Sequence, residues 1–270
     1  MDVKSLHIYP VKSTRGESLS TSSVDAKGLL GDRRAMIVDG KGNFLTQRTH
    51  GRLALIETRI HGDNLLLQLD GEPVVPQWSE ERKNCVVWND KVDLEVCDSE
   101  TSLALSDFLG EAVSLVRMDD ESERRTSGTW AESDNSLSDG YPILITTTAS
   151  LNALSATAGI SLRQAQFRPN IVIQTEESWA EDHWKLIRIG GVELELVKPC
   201  TRCQVTTLDP INGERAYPET MEAMIKTRRS GDKRIKGVLF GWNAVVRSFG
   251  NLSVGDEVKV LETNSAWPVQ

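Results

Sequence analysis

Two cysteines, Cys200 and Cys203, stand three residues apart and are the side chains in this chain best suited to redox or metal chemistry. A thiolate is a nucleophile and also a ligand for soft or high-valent metals. Lys198 and Arg202 flank the pair, and their positive charges favour an ionised sulfur. The sequence therefore places candidate thiolate chemistry near residue 200.

The spacing of the pair is compatible with four kinds of site. A thioredoxin-like pair needs its first cysteine at a helix N-terminus, but residues 204–207 are mostly β-formers. A structural zinc site needs two more ligands, and the remaining cysteines, Cys85 and Cys97, are predicted on facing strands of a distant hairpin. A buried pair of small apolar side chains and a single metal-bound thiolate are the other two interpretations.

The elements that must position the pair are mostly strands. Residues 186–197 alternate apolar and polar side chains around two glycines, which predicts a hairpin leading directly to the cysteines. Helical apolar spacing is confined to a few segments, so we expect a mainly β or α+β architecture with a barrel-like part. The other predicted strands are 6–11, 35–39 with 44–46, 53–60, 65–69, 85–88, 92–96, 143–145, 171–173 and 254–260, and the predicted helices are 102–109, 149–156 and 218–229.

A polar, serine-rich segment, residues 119–140, interrupts these patterns and contains few apolar side chains to bury. Such a segment is typical of a loop or a connection between domains, and long loops are often functional lids. We therefore predict one domain over residues 1–118 and a second over residues 119–270.

Charge and hydropathy indicate which partners the protein binds and in which cellular compartment it lies. The 270 residues carry a net charge of −8, which argues against a nucleic-acid-binding protein. The first residues lack the pattern of a signal peptide, and no apolar run approaches the roughly 20 residues of a membrane helix. We expect a cytoplasmic protein with reduced cysteines that binds neither nucleic acid nor membrane.

Five short motifs occur in a fixed order around the cysteine pair. Together they resemble the MOSC family, and within it the mitochondrial amidoxime-reducing component and the YcbX-type bacterial proteins. The resemblance extends from about residue 6 to residue 262. The motifs are Ile8-Tyr9-Pro10-Val11-Lys12-Ser13, Gly31-Asp32-Arg33, Phe167-Arg168-Pro169-Asn170, Lys198-Pro199-Cys200-Thr201-Arg202-Cys203 and Phe240-Gly241-Trp242-Asn243.

The resemblance implies an N-terminal β-rich MOSC-associated domain and a C-terminal MOSC β-barrel. It also implies a molybdenum cofactor of the molybdopterin type, held in the cleft between the two domains. Cys203 is then the metal ligand and the catalytic residue, and Cys200 is a neighbour.

The same resemblance implies a set of cofactor-binding residues. Cationic side chains suit the cofactor's phosphate because they form charge-assisted hydrogen bonds with it. Polar side chains at the other matching positions suit the pterin. The cations are Lys12, Arg33, Arg168 and Arg202, and the polar residues are Ser13, Thr147, Asn170 and Asn243.

Two departures from the family pattern affect these expectations. Some bacterial relatives carry a ferredoxin domain with a plant-type C-x₄-C-x₂-C run, and this chain has no such run. We therefore expect a separate electron-donor protein, which the basic residues between 226 and 236 could dock. Secondly, Asn243 stands where the mitochondrial proteins have a tyrosine.

The function that the resemblance implies is reduction of N-hydroxylated small molecules to amines or amidines. A second interpretation comes from the molybdenum-cofactor sulfurases, in which a MOSC domain follows a pyridoxal-phosphate domain. On that interpretation the protein is a carrier of cofactor or sulfur. A third is a protein that stores the cofactor without acting on it.

Overall fold

The computed structural model describes residues 1–126 and 128–270, and in this part of the chain strands predominate over three α-helices. The strands are β1 (Asp2–Ile8), β2 (Glu17–Leu19), β3 (Thr21–Asp25), β4 (Gly28–Leu29), β5 (Ala35–Asp39), β6 (Glu57–His61), β7 (Asn64–Leu69), β8 (Glu72–Val74), β9 (Trp78–Val87), β10 (Asp90–Cys97), β11 (Val113–Arg117), β12 (Ile143–Thr147), β13 (Ile171–Gln174), β14 (Trp184–Ile189), β15 (Val192–Arg202), β16 (Val238–Ser248), β17 (Gly250–Ser253) and β18 (Val258–Thr263). The helices are α1 (Ser99–Leu109), α2 (Thr148–Ala158) and α3 (Pro218–Thr227). The predicted mainly β architecture is confirmed.

The largest sheet has the order β18-β14-β15-β16-β12-β13-β1-β2 and is antiparallel except between β12 and β13. It curls until β1 meets the residues that begin β18. The backbone N–H of Val3 donates to the carbonyl of Asp256 at 2.9 Å, and that of Val258 donates to Met1 at 2.9 Å. These bonds close the sheet into a barrel, whose interior holds the alternate apolar residues of its strands.

A second sheet, β5-β11-β10-β9, forms the centre of the other half of the molecule. One face packs against the small sheet β6-β7-β8 and helix α1, with Ile37 and Leu115 in the same apolar cluster as Leu67 and Leu105. The opposite face buries a separate cluster that includes Leu137. Alternating side chains thus fill both faces of this sheet, as the period of a strand requires.

The N-terminal strands join the two halves. β1 lies between β13 and β2, and β3 pairs with β17, so residues 2–29 belong to sheets that are completed by the second half of the chain. The division into domains after residue 118 remains a proposal, and strand pairing crosses it.

A buried arginine, Arg124, anchors the end of the segment 119–140. Arg124 donates to the carboxylate of Asp90 at 2.8 Å and to the carbonyls of Ser136 and Ser138 at 2.7 and 2.6 Å. Its side chain is buried. These bonds fix the end of the segment that leads into β12.

Most predicted elements are present, with three differences. Residues 44–46 were expected to form a strand in a hairpin with residues 35–39, but Phe44 makes only an isolated bridge with Val38. Residues 53–60 were expected to form a strand, but Gly51–Leu55 form a 3-10 helix and β6 begins only at Glu57. The last strand was expected from residue 254, but a turn occupies residues 254–255 and β18 begins at Val258. Helix α1 ends as predicted at Gly110, whose φ of 77° favours glycine. No helix in residues 1–126 and 128–270 is long and apolar enough to cross a bilayer.

Beside the N-terminus of α2 lies a buried carboxyl group, that of Glu181. Its Oε2 accepts hydrogen bonds from the hydroxyls of Thr147 and Ser150 at 2.9 and 2.8 Å, whereas Oε1 is buried and has no partner among the described residues. Burial raises the pKa of Glu181 to about 7, and the neighbouring Asp182 adds to the effect. The folded protein therefore holds a proton here at pH values where the unfolded chain has lost it.

This proton makes a testable contribution to stability. Because the pKa is raised on folding, the contribution is fully present below the ordinary glutamate pKa of 4.5 and is lost as the pH rises through about 7. Glu181→Gln should therefore gain stability relative to the wild type, on the order of 2 kcal/mol, between pH 5 and pH 8. Chemical denaturation at the two pH values measures this gain. The exposed Glu177→Gln is the matched control, and equal pH dependence in all three proteins would contradict the assignment.

Candidate active site

A cleft of about 490 Å³ lies where the barrel, the second sheet and the segment 119–140 meet. Its walls combine residues from the first 90 positions with residues 138–144, the loop before β13, and β15, β16 and the loops beside them. The lining residues are Lys12, Ser13, Arg33, Phe44, Thr46, Gln47, Arg48, Trp88, Ser138, Asp139, Gly140, Tyr141, Leu144, Phe167, Arg168, Asn170, Lys198, Cys200, Thr201, Arg202, Cys203, Val205, Lys236 and Asn243.

The cysteine pair lies at the end of the long strand β15. Cys200 is still within the strand and half-buried, whereas Cys203 follows the strand and is exposed in the cleft. The guanidinium of Arg202 lies 2.9 Å from the sulfur of Cys200 and also donates to the carbonyl of Phe167 at 2.7 Å. Cys203 is thus the sulfur that is free to bind a ligand from the cleft.

The residues after the pair differ from the extended structure expected of β-formers. Gln204–Thr207 form a single 3-10 turn, in which Thr206 and Thr207 donate their hydroxyls back to the carbonyls of Cys203 and Gln204. Side-chain bonds of this kind stabilise a tight turn against the β propensity of the residues. Because Cys200 lies within a strand, the arrangement is not that of a thioredoxin-like pair.

The other cysteines are core residues. Cys85 and Cys97 belong to the separate apolar clusters on opposite faces of the second sheet. Burial raises the pKa of Cys85 to about 11 and raises that of Cys97. Across the described residues, 1–126 and 128–270, there is no group of three or more histidine, cysteine or acidic side chains that could hold a metal. A four-cysteine zinc site is therefore not formed.

Two arginines, Arg33 and Arg168, lie over the ring of Tyr9, with their guanidinium carbons 4.4 and 4.1 Å from its centroid. Burial acts to lower the pKa of Arg33, but Asp32 at 2.6 Å, together with Tyr9 and Asp139, outweighs it, and the pKa is raised. Among the described residues, Arg168 donates only to the carbonyl of Thr14, at 2.7 Å, and burial lowers its pKa to about 10. Arg168 remains charged at neutral pH, and a second nitrogen of its guanidinium is buried without a partner.

Asn170 braces this cluster. Its amide oxygen accepts hydrogen bonds from the backbone of Leu144 at 3.0 Å and from Arg33 at 3.3 Å, and its amide nitrogen donates to the carbonyl of His7 at 3.2 Å. The side chain ties β1, β12 and the loop before β13 together. Its hydrogen bonds position Arg33 at the cleft wall.

Lys12 contributes a buried ammonium group to the cleft. It forms an ion pair with Asp139 and donates to the carbonyl of Leu137 at 2.8 Å. The lysine side chain is 5% exposed and the aspartate 75%, so Asp139 covers Lys12 from the open side. Burial lowers the pKa of Lys12, and Asp139 opposes that effect. Trp88 donates its indole N–H to the same carboxylate at 3.2 Å.

The backbone around the cleft is unusually constrained. Among the described residues, six non-glycine positions have φ in the left-handed region, and four of them line the cleft. These four are Ser13 at 70°, Arg33 at 49°, Trp88 at 60° and Arg168 at 54°. Strained backbone of this kind tends to occur at binding and catalytic sites.

Eight of the nine sequence-predicted site residues line this one cleft, and Thr147 does not. Thr147 is fully buried at the N-cap of α2, where its hydroxyl accepts from the backbone of Ser150 and donates to Glu181. The structure therefore does not bring Thr147 to the cleft with the other predicted residues, and its contact with a cofactor stays a prediction. Asn243 does line the cleft, and its amide donates to the carbonyl of Lys198 at 3.2 Å.

Several residues that line the cleft were not predicted as site residues from the sequence. Asp139 and Trp88 were not singled out, although the segment 119–140 was suspected to be a lid. Arg48, beside Trp88 with its guanidinium carbon 4.9 Å from the ring centroid, was also missed. Only their positions in the fold bring these residues to the same wall as Lys12.

Comparison with known proteins identifies the family. The model of the MOSC N-terminal beta barrel domain matches residues 1–112, and that of the MOSC domain matches residues 132–259. The chain therefore belongs to the MOSC family, as the resemblance predicted.

Curated relatives agree over nearly the whole chain. It is 31% identical to mitochondrial amidoxime-reducing component 1 of Homo sapiens, over 96% of this chain and 82% of that protein. It is 32% identical to component 1 of Mus musculus, with the same coverage. It is 32% identical to component 2 of Homo sapiens, over 95% of this chain and 82% of that protein. This sequence similarity supports, at the level of the family, the assignment of the chain as an oxidoreductase associated with a molybdenum cofactor.

The cleft residues fit a molybdenum cofactor. A buried nitrogen of Arg168 and one of Arg202 have no hydrogen-bond partner in the part of the chain that the structure describes, and both arginines line the cleft. Unpartnered buried N–H groups are costly, and an anionic group supplies acceptors for them. The exposed sulfur of Cys203 supplies a soft donor in the same cleft.

The pair of Lys12 and Asp139 gives a prediction on anion binding. Asp139→Asn removes the carboxylate that forms an ion pair with Lys12, so the ammonium group becomes available to an added anion. Cofactor-free protein with this substitution should bind inorganic phosphate at least about 5-fold more tightly than the wild type. Isothermal titration calorimetry measures this affinity. Asp134→Asn, which breaks the exposed pair with Arg125, is the matched control. Unchanged or weaker binding by Asp139→Asn would show that Asp139 does not compete with anions.

Proposed function

We propose that this protein binds a molybdopterin-type molybdenum cofactor and reduces N-hydroxylated small molecules to amines or amidines, with electrons from a separate donor protein. The observation that carries the proposal is the exposed sulfur of Cys203 at the edge of a cleft lined by buried cations. The kinship with amidoxime-reducing components supports the choice of reaction.

Each part of the cleft has a role in this proposal. Cys203 binds the metal as a thiolate, while Lys12, Arg33 and Arg168 hold the cofactor's phosphate. Arg202 stays beside Cys200, and its unpartnered nitrogen is available to the cofactor. When bound, the cofactor supplies two-electron redox chemistry.

The proposed reaction is a two-electron, two-proton reduction. An amidoxime takes up two electrons and two protons, its N–O bond breaks, and the products are an amidine and water. The protein's contribution is to hold the substrate's N–O group near Cys203 and to limit access of bulk water. The cleft walls from both halves of the molecule serve that purpose.

Replacing the thiolate tests the proposal directly. We expect Cys203→Ala, purified from a host that makes the cofactor, to lose reduction of benzamidoxime by at least about 100-fold and to keep its circular dichroism spectrum. Molybdenum content by mass spectrometry should fall with it. Cys200→Ala is the matched control and should retain molybdenum. Full activity in Cys203→Ala would refute the role of this sulfur.

A carrier of cofactor or sulfur is the second candidate function, favoured by the exposure of Cys203. A carrier releases its cofactor to an apo-enzyme, whereas a reductase retains it and turns over with an artificial donor. Incubating the loaded protein with a cofactor-free molybdoenzyme distinguishes the two.

The basic residues between 226 and 236 give a prediction on the donor. Arg228 is not available, because it is buried against Asp182 at 2.8 Å, but Lys226, Arg229 and Lys233 are exposed. Turnover with an acidic donor protein should fall several-fold between 20 and 200 mM salt, because screening weakens attraction between exposed charges. Turnover with a small dye donor should change little. Salt-independent turnover with the protein donor would exclude electrostatic docking.

A further inference from the structure

The charges that line the cleft are strongly unbalanced. Seven lining side chains are cationic and one, Asp139, is a carboxylate, although the whole chain has a net charge of −8. Four of the cations are those already assigned to the cofactor, and two carboxylates, Asp32 and Asp139, face that group. The other three cations, Arg48, Lys198 and Lys236, have no carboxylate within ion-pair distance among the described residues.

These three cations come from separate parts of the fold. Arg48 lies in the loop after β5 and is held by the ring of Trp88 and the hydroxyl of Thr46. Lys198 is half-buried on β15, five residues before Cys203, and Lys236 is exposed in the loop before β16. Because three distant segments each direct a cation to one cleft, local sequence composition does not explain the excess of positive charge.

Resting on the reductase function proposed above, we propose that the substrate carries an anionic group, such as a carboxylate, besides its N-hydroxylated group. Arg48, Lys198 and Lys236 recognise that group. The cations confer specificity by charge complementarity in a partly desolvated cleft, where an unpaired like charge is strongly disfavoured.

A small anionic substrate explains these positions better than an acidic donor protein does. Lys198 is only partly exposed and lies on the strand that leads to Cys203. A protein surface that docks outside the cleft reaches exposed residues such as Lys233 more readily than a half-buried side chain. Dye-driven turnover removes the donor protein from the test.

The test compares three amidoximes that differ in charge. 4-Carboxybenzamidoxime is anionic, benzamidoxime is neutral, and 4-(aminomethyl)benzamidoxime is cationic. Isothermal titration calorimetry with the cofactor-loaded protein measures binding without turnover. We expect the anionic compound to bind about 10-fold more tightly than the neutral one, and the cationic compound to bind most weakly.

Variants then locate the charges responsible. In Lys236→Gln and in Arg48→Gln, the ratio of kcat/KM for the anionic to the neutral compound should fall about 3-fold, and adding Lys198→Gln should abolish the preference. A general loss of activity cancels in this ratio. Lys41→Gln and Arg59→Gln remove exposed cations outside the cleft, and should leave the ratio unchanged.

The outcomes separate this inference from the reductase function. Turnover of all three compounds with no preference for the anionic one overturns the inference and leaves the reductase function standing. A preference that survives in the triple variant also overturns it. Tight binding of the anionic compound without reduction of any amidoxime supports an anion-recognising cleft and refutes the reductase function. Equal binding of all three without turnover refutes both.

Discussion

The cleft depends on two guanidinium groups packed over one tyrosine ring. Tyr9 follows β1, Arg33 precedes β5, and Arg168 lies just before β13, so three distant segments meet in this contact. Charge taken out of water must be neutralised or solvated by fixed dipoles. Asp32 does this for Arg33, whereas the described residues offer Arg168 only the carbonyl of Thr14, so the contact creates a place where an anion is favoured.

Pairing of the N-terminal strand with the barrel positions this contact. β1 pairs with β13, which places Tyr9 beside the segment that carries Arg168 and Asn170. The chain then crosses the cleft through Lys12 and Ser13 before it enters the second sheet. Residues from the first 33 positions are thereby fixed by both halves of the molecule, and the cleft cannot be assembled by either half alone.

Much of the fold follows from local patterns in the sequence. Alternating apolar residues predict the hairpin β14–β15, and Gly110 correctly predicts the end of α1. The 3-10 helix at Gly51–Leu55 could not be predicted, because short apolar runs do not distinguish it from a strand. Eight of the nine site residues predicted from the motifs line one cleft. Asp139 and Trp88 also line it, but long-range packing places them there, and no local sequence pattern predicts that packing.

For Thr147, a match to the family's motif is weaker evidence of a role in the cleft than the position of its side chain in the fold. Its hydroxyl donates to Oε2 of the buried Glu181, whose other carboxyl oxygen has no partner among the described residues. The hydrogen bond from Thr147 therefore helps to satisfy a buried polar group. Ser13, in contrast, lies in the left-handed region in the cleft wall, a conformation that costs about 1 kcal/mol for a non-glycine residue. A fold retains such a cost only where surrounding contacts enforce it, and here the carbonyl of Ser13 accepts from Gln47 at 2.7 Å. The left-handed φ of Ser13 is thus a second sign, independent of the motif, that this residue belongs to the cleft wall, and Thr147 lacks that sign.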